Sequence, residues 1–494
     1  MPFVCLTLTA KTLDEDIALA RKYASLVDLV ELRADCLDTT EIPSIGAFPS
    51  RVQMPALLTV RRKADGGAFA GPESDREALF ADATAFAYVD FETDFDPPAL
   101  TRAVRAAGVR IIRSRHVFTP SSGALAADVD AACRTPDEIP KLAYRPGTLA
   151  DVTDLFKTTA ALPPRDRIFC AMGPLGTVTR VLASRTRSFL TYVSPRELLG
   201  NTAGIGHLDP ERLHNVYRFR SITDKTQLCG VTGWPLAVTS SPDVHRAFYD
   251  RDGLDAVLVP LPAEDIADAL DFAETLGLRG LAVTIPHKER LLALVDEAEP
   301  AAKAIGAANT VVWRDGRRLG YNTDAAGFTQ ALTAFLGRQN LRGLRVAILG
   351  AGGAARAIAY AVWKLGGDGC VHARDLARAE AVATRYGFGA ATLANLGGGR
   401  RPDLLVQCTS VGHGSTDPTA DPIPGYDFDG HEALYDLVYQ PAVTPVMARA
   451  RSAGCRVESG MSMLRAQAEI QHRLFFRGEH GRIIPAPPPP TTDD

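Results

Sequence analysis

No two cysteines in this chain are spaced as CxxC, and none of the eight, scattered from Cys5 to Cys455, joins a histidine at zinc-ligand spacing. That pattern excludes a thiol redox motif and a structural zinc site; it suits reduced thiols packed as small core residues, and no metal is expected. Also missing is any uninterrupted apolar run as long as a membrane span, and the opening MPFVCLTLTA has no basic flank before a long apolar segment. A cytoplasmic protein without a membrane partner is the expectation. Charge of one sign is lacking too, since 54 Lys and Arg against 58 Asp and Glu leave a net charge of -4. A nucleic-acid partner is therefore disfavoured, although a local basic pocket for phosphates stays possible. What the chain does have is length: 494 residues, 46% hydrophobic and 23% charged, enough for two or three domains with cores of their own. The end, IIPAPPPPTTDD, is proline-rich and then acidic, so a solvated, disordered tail is expected over 484–494.

The first part of the chain alternates short β-type apolar runs with amphipathic stretches of helical spacing, such as LDEDIALARKYASL and DREALFADATAF. Eight strand candidates can be read: FVCLTLT from Phe3, VDLVELR from Val27, ALLTVR from Ala56, AYVDFET from Ala87, VRIIRSRH from Val109, PKLAY from Pro140, RIFCAM from Arg167 and LTYVS from Leu190. This spacing predicts a (β/α)8 barrel over 1–222. After a polar stretch the alternation restarts in LCGVTGWPL, GLDAVLVPL and GLAVTIP, and a second boundary falls near Arg338. The predicted architecture is α/β throughout: the barrel, an α/β substrate domain over 226–337 completed by a helix near 460–478, and a Rossmann-type dinucleotide-binding domain over 338–459.

In the C-terminal half, AVTIPHK ends on Lys288, GYNTD on Asp324, and RVAILGAGGAARA reads as strand, glycine turn and helix. Ketone reduction by hydride needs a dinucleotide, an acid for the new alkoxide and a group to orient that acid. Lys288 and Asp324 supply the last two, and Asn309 in IGAANT adds a polar group suited to a small polyhydroxylated substrate. Gly350, Gly352, Gly353, Ala354 and Ala355 fit G-x-G-x-x-A, which lets backbone approach a pyrophosphate at a helix N-terminus. About 20 residues on, where an acid would bind the ribose hydroxyls of NAD, stands Arg374, with Arg378 as a second cation; a 2′-phosphate and hence NADP is favoured, while Asp375 keeps NAD open.

In the N-terminal half, charged groups just past the barrel strands share one mouth. They are Glu31 and Arg33, Arg61 and Asp65, His116, Lys141 and Arg180. An inward ammonium at Lys141 is costly unless paired or neutral, and neighbouring cations favour the neutral amine that a Schiff-base nucleophile needs. His116 suits proton transfer near neutral pH, with Glu31 placed to orient its ring.

The segment from about Leu228 to Phe476 resembles the shikimate dehydrogenases in VTGWPLAVTSSP, AVTIPHK, IGAANT, GYNTDAAGF, GAGGAARA, DLVYQPAVT and SGMSMLRAQA. The resemblance implies that Lys288 and Asp324 form a catalytic dyad and that Thr239, Ser241, Thr284, Asn309 and Gln467 line a shikimate pocket. Pro2 to Phe219 resembles the type I 3-dehydroquinate dehydratases in Glu31-Leu32-Arg33-Ala34-Asp35, Arg61 with Asp65-Gly66-Gly67, Ser114-Arg115-His116 and Lys141-Leu142-Ala143. It implies imine formation at Lys141, proton abstraction by His116 and a substrate carboxylate held by Arg180. Together they imply a bifunctional enzyme turning 3-dehydroquinate into 3-dehydroshikimate and then, with NADPH, into shikimate. The expected partners are these small molecules.

There are departures. Thr239-Ser240-Ser241 stands for the usual serine, leucine, serine, after Val238 rather than histidine. Ala373 replaces an asparagine, and Gln407-Cys408-Thr409-Ser410 replaces Asn-Ala-Thr-Pro. Asp65 is shorter than the usual glutamate. In the barrel's last loop, Asn201 to His207 stands for S-A-P-G-Q, so that Ala203 takes the serine position and His207 the glutamine position, with Thr202 able to supply a hydroxyl. This loop leaves open a catalytically silent barrel that supports a reductase, and the C-terminal half leaves open quinate as its substrate.

Overall fold

The computed structural model describes residues 1–477 apart from 237, 238, 399 and 415. The expected tail at 484–494, Val238 and the side chain of Ala203 lie outside the described residues. The chain forms two compact units, one of 1–227 with Asp255–Leu276, the other of Leu228–Leu254 with the chain from Gly277 onward.

Near-continuous apolar runs in short strands favour a parallel sheet covered on both faces, and the first unit builds one. Its strands are β1 (Phe3–Leu8), β2 (Leu29–Arg33), β3 (Ala56–Thr59), β4 (Tyr88–Glu92), β5 (Arg110–Pro120), β6 (Ile139–Arg145), β7 (Ile168–Ala171) and β8 (Leu190–Val193), one for each of the eight candidates. They lie in the order β7-β6-β5-β4-β3-β2-β1-β8. The last gap is spanned by a single parallel bridge, Arg167 to Ser188, where the Phe189 N–H donates to the Arg167 carbonyl at 2.6 Å. The barrel is nearly closed.

Alternation along these strands layers the interior. Cys5, Leu29, Leu57, Ile112, Ile139, Ile168 and Leu190 pack into one apolar cluster with Tyr88 against it. Two residues further along the same strands come Thr7, Glu31, Thr59, Ser114, Lys141, Cys170, Tyr192 and Asp90, and the interior turns polar.

Two crossovers depart from the expected amphipathic helices. Thr39–Ala47 and Gly123–Ala132 are 3-10 segments. Pro43 removes an amide donor from the first. In the second, a Cβ on Gly123 would lie 2.3 Å from the Leu155 backbone nitrogen. Backbone there packs directly on the helix Leu149–Ala161, which a capping box of Thr148 and Asp151 starts.

Two further sheets follow. β9 (Gln227–Gly233), β11 (Gly280–Val283), β13 (Thr310–Arg314), β14 (Arg317–Tyr321) and β12 (Glu297–Ala298) are successive neighbours, with β13 antiparallel to both β11 and β14. β10 (Ala256–Pro262) lies within the segment counted with the first unit. The helix Gly460–Phe476 packs so closely here that a Cβ on Gly280 would meet the Phe475 ring at 2.1 Å. The third sheet holds β15 (Arg345–Leu349), β16 (Asp368–Ala373), β17 (Gly389–Thr392), β18 (Leu404–Gln407), β19 (Ala433–Asp436) and β20 (Arg456–Ser459). Its order, β17-β16-β15-β18-β19-β20, is all parallel and doubly wound, so its switch point falls between β15 and β18.

Candidate active sites

Glu31, Arg33, Arg61, Asp65, His116, Lys141 and Arg180 line one pocket at the barrel mouth. The Lys141 ammonium is buried and donates to Asp90 Oδ2 at 2.9 Å and to the Tyr192 hydroxyl at 3.1 Å. Asp90 is the residue that sequence reasoning overlooked. Its carboxylate also pairs with Arg61 at 2.8 Å and accepts from Ser114 Oγ at 2.5 Å. Burial opposes its ionisation, but Arg61 and then Lys141 hold its pKa well below the usual carboxylate range. The signal was present in AYVDFET: Tyr88, Asp90 and Glu92 alternate onto the inner face.

The expected contact of Glu31 with His116 is not made. Glu31 accepts from Thr7 Oγ1 and Thr59 Oγ1, both at 2.8 Å. The strand order explains this, since β2 neighbours β1 and β3 while His116 stands on β5. His116 stacks on Phe118, and its buried Nδ1 has no hydrogen-bond partner. Burial, then Arg61 and Lys141, push its pKa well below 6.5, so the ring is neutral near pH 7.

The other cations divide into paired and unpaired. Arg33 makes a bidentate pair with Asp35 at 2.9 and 2.8 Å, and Arg61 also donates to Glu92 at 2.6 Å. Arg180 is buried, and its partners are backbone carbonyls: Ala171 at 2.7 Å, Gly176 at 3.3 Å and Ile205 at 2.7 Å. Its Nε has no partner, and no carboxylate among the described residues pairs with it. Burial lowers its pKa, with only Cys170 opposing. A buried, uncompensated cation facing a pocket is a receptor for an anion.

Asp65 is held by Arg62 at 2.7 Å. The turn it starts passes through Gly66 at φ +78, where a Cβ would lie 2.6 Å from the Phe118 ring. On the opposite rim, the 201–207 loop is latched. Asn201 donates to Thr9 Oγ1 at 3.2 Å, the Gly173 N–H to the Ile205 carbonyl at 3.0 Å, and Thr202 Oγ1 to Ser194 Oγ at 3.0 Å. Thr202 thus supplies a hydroxyl, but to Ser194.

In the second unit, the helix Lys288–Leu292 starts on Lys288, and Asp324 sits in the first turn of the helix Thr323–Leu336, which Asn322 caps. Lys288 Nζ lies 2.6 Å from Asp324 Oδ2, both side chains nearly buried. Thr323 links the neighbours: its N–H donates to Asn309 Oδ1 at 2.8 Å and its hydroxyl lies 3.1 Å from Gln467 Oε1. Thr284 lies against Gly233, where its Cγ2 would be 2.5 Å from an added Cβ. Thr239 accepts from the Ser241 N–H at 3.2 Å at the start of the helix Ser241–Asp252.

The glycine turn is built as a dinucleotide needs. Gly350 has φ +116, a conformation that favours glycine, and a Cβ there would be 3.1 Å from Thr409. Gly352 precedes the helix Gly353–Lys364, Ala354 lies in its first turn, and Ala355 packs fully buried. Lys288 lies beside this turn, 3.4 Å from where Gly353 would carry a Cβ. Gln407 braces the facing loop, accepting from the Thr409 N–H at 2.6 Å and donating to the Val411 carbonyl at 3.1 Å. Arg374 and Arg378 are exposed past β16. Asp375 is occupied as the N-cap of the next helix, accepting from the Ala377 N–H at 3.0 Å. The cap engages Oδ1 only, and Oδ2 stays exposed, 3.9 Å from Arg378 Nε.

A (β/α)8 barrel with a buried lysine and histidine in its mouth, joined to a dinucleotide-binding unit with a lysine–aspartate pair, defines a fusion of a lysine-dependent lyase with a reductase. The family model described as type I 3-dehydroquinase matches residues 4–224, and that of the shikimate dehydrogenase substrate-binding domain matches 231–311. The chain is 30% identical over 499 aligned residues to the chloroplastic bifunctional 3-dehydroquinate dehydratase/shikimate dehydrogenase of Arabidopsis thaliana, covering 96% of this chain and 81% of that one. It is 40% identical to the NADP(+) shikimate dehydrogenase of Geobacter sulfurreducens over 51% of this chain and 92% of that one. Among solved structures, shikimate 5-dehydrogenase from Thermus thermophilus with NADP(H) and shikimate aligns at 36% identity with a TM-score of 0.46, covering 50% of this chain and 93% of that one. The chain belongs to the bifunctional 3-dehydroquinate dehydratase/shikimate dehydrogenase family. No helix among the described residues is long and apolar enough to cross a membrane.

Proposed function

We propose that the barrel dehydrates 3-dehydroquinate to 3-dehydroshikimate and that the C-terminal unit reduces this ketone to shikimate with NADPH. The observation that carries the reading is the barrel pocket, where Lys141 sits with a neutral His116 and a buried Arg180 that has no carboxylate partner. Arg180 takes the substrate carboxylate, which supplies the missing countercharge. Lys141, once its ammonium has given up a proton to solvent, adds to the ketone and loses water to give an imine, with Asp90 and Tyr192 holding the nitrogen in place. His116 removes a proton from the carbon next to the imine. The resulting enamine expels the hydroxyl on the following carbon, which leaves as water with the proton His116 had taken. Hydrolysis returns Lys141. Arg33, Arg61, Asp65 and Glu31 shape the pocket floor and rim.

In the second unit, NADPH supplies the hydride when bound. Lys288 protonates the alkoxide, and Asp324 orients the ammonium at 2.6 Å. Asn309, Thr284, Gln467, Thr239 and Ser241 hold the substrate hydroxyls and carboxylate. Gly350, Gly352, Gly353, Ala354 and Ala355 receive the pyrophosphate, and Arg374 with Arg378 the 2′-phosphate. We assign the dehydratase to 1–222, shikimate binding to 226–337 with the helix near 460–478, and NADP binding to 338–459. The chain works in the cytoplasm on small molecules alone.

Borohydride reduction of the whole protein with 3-dehydroquinate, followed by peptide mapping, tests the first half. An adduct at Lys141 is expected; a clean absence makes the barrel a silent scaffold. Comparing kcat/KM for shikimate and quinate tests the second half, and a preference for quinate overturns it.

A further inference from the structure

Among the described residues, the Lys141 ammonium has two acceptors, the Asp90 carboxylate at 2.9 Å and the Tyr192 hydroxyl at 3.1 Å. They differ in what they can return. Asp90 is held as a carboxylate by Arg61 and accepts at its other oxygen from Ser114 Oγ at 2.5 Å, so it has no proton to give. The Tyr192 hydroxyl accepts from Nζ and keeps a proton of its own, for which no acceptor stands among the described residues. The ring is held in place: it packs in the apolar cluster with Cys5, Ala143 and Cys170 and lies parallel to His207, with centroids 6.3 Å apart and planes at 5°. Burial and then Glu31 push the phenol well above its usual pKa of 10, so it stays protonated at every working pH. Such a group still relays a proton, provided it receives one as it gives one.

Addition of the neutral Lys141 amine to a ketone forms the C–N bond and moves the carbonyl π pair onto oxygen. That leaves a positive nitrogen and a negative oxygen on one carbon. One proton has to cross from nitrogen to oxygen to make the carbinolamine, and a direct crossing is badly bent. We propose that Tyr192 is a catalytic residue of the dehydratase, its hydroxyl taking a proton from the Lys141 nitrogen while handing its own to the former carbonyl oxygen. The inference rests on the dehydratase reading above. One N–H and one phenol O–H bond break, one phenol O–H and one substrate O–H bond form, and the tyrosine ends as it began. His116 keeps its task at the neighbouring carbon.

The test compares the full-length protein with its Y192F variant, which keeps the ring and loses the hydroxyl. Each is mixed with 3-dehydroquinate and quenched with borohydride at successive times, and the Lys141 adduct is measured by peptide mass. In parallel, Lys141 is labelled with acetic anhydride, which needs the amine's electron pair but expels acetate without a proton. Y192F is expected to form the adduct about a hundredfold more slowly, the lower end of what a positioned proton donor contributes, with kcat lowered as addition becomes limiting. Labelling stays at the wild-type rate, because Asp90 still holds the nitrogen. Shikimate oxidation is unchanged. Adduct formation at the wild-type rate in Y192F overturns the proposal. Equal falls in adduct formation and labelling overturn it too, since Tyr192 then only positions the amine. Should Y192F fail to fold, the wild-type protein in heavy water decides: its adduct is expected to form more slowly than in water, and equal rates overturn the relay. A wild-type protein that gives no adduct sinks the dehydratase reading itself, whereas a normal wild-type adduct with an unslowed Y192F removes only the role of Tyr192.

Discussion

Lys141 and Lys288 each lie within hydrogen-bonding reach of an aspartate, at 2.9 and 2.6 Å, yet the two aspartates live in different surroundings. Asp90 is shared among Lys141, Arg61 and Ser114 inside a barrel whose every strand is braced by its neighbours. Asp324 pairs with Lys288, at the meeting of two helix starts and a glycine turn. The barrel therefore ties its lysine into a network of charges, whereas Lys288 and Asp324 form one charged pair beside a neutral hydrogen-bond network through Thr323. In the charge network, removing Lys141 leaves Asp90 two partners; in the pair, removing Lys288 leaves Asp324 without its cation.

The sharpest break of this comparison is the pair of alanine variants. Lys141→Ala is expected to lower dehydration by at least about a thousandfold, as loss of a covalent nucleophile does, with reduction unchanged. Asp90 keeps Arg61 and Ser114, so the fold survives. Lys288→Ala should do the reverse, and equal damage to both activities in a folded protein would show that the sites are not independent. Arg180→Ala comes next: loss of a charge-assisted contact of about 2 to 3 kcal/mol predicts a rise in KM for 3-dehydroquinate of roughly 30- to 150-fold. An unchanged KM would assign Arg180 to the loop latch alone. Arg374→Ala, on an exposed arm, should raise KM for NADPH by about tenfold and leave NADH untouched; matching losses for the two would make it structural.

Acid provides the mildest contrast. The depressed His116 pKa keeps its base form available, so dehydration should hold its rate as pH falls from 8 through 6.5 and decline only below. A midpoint at 6.5 or above in the kcat/KM profile contradicts the burial argument. In the second unit, burial pushes His245 down to about 3. The unfolded chain binds this proton first, so stability is complete above 6.5 and erodes as pH falls toward 3. His245→Phe should flatten that loss in melting curves.

Much of this was legible because strand periodicity is local. All eight barrel strands appeared where apolar runs predicted them, and the seven charged residues read from strand ends share one pocket. What the sequence hid depends on distance across the sheet. That Glu31 bonds Thr7 and Thr59 rather than His116 follows from strand order, which spacing alone does not give. Asp90 went unweighed because its partners Arg61, Ser114 and Lys141 come from other parts of the barrel, which the spacing within AYVDFET does not reveal. The 3-10 crossovers came from Pro43 and from a close backbone contact at Gly123, neither of which hydrophobic period reports. In the cleft, Lys288, Asp324, Asn309 and Gln467 did come together, linked by Thr323, a residue that no substrate argument required.

The lone guanidinium of Arg180 has a practical corollary. With no carboxylate paired to it among the described residues, Arg180 should draw small organic acids from a buffer, acetate or citrate among them, into the mouth as weak competitive inhibitors. The same occupancy should raise the melting temperature with the logarithm of one plus their concentration over their dissociation constant, and kinetic work on this protein is best begun in an amine buffer.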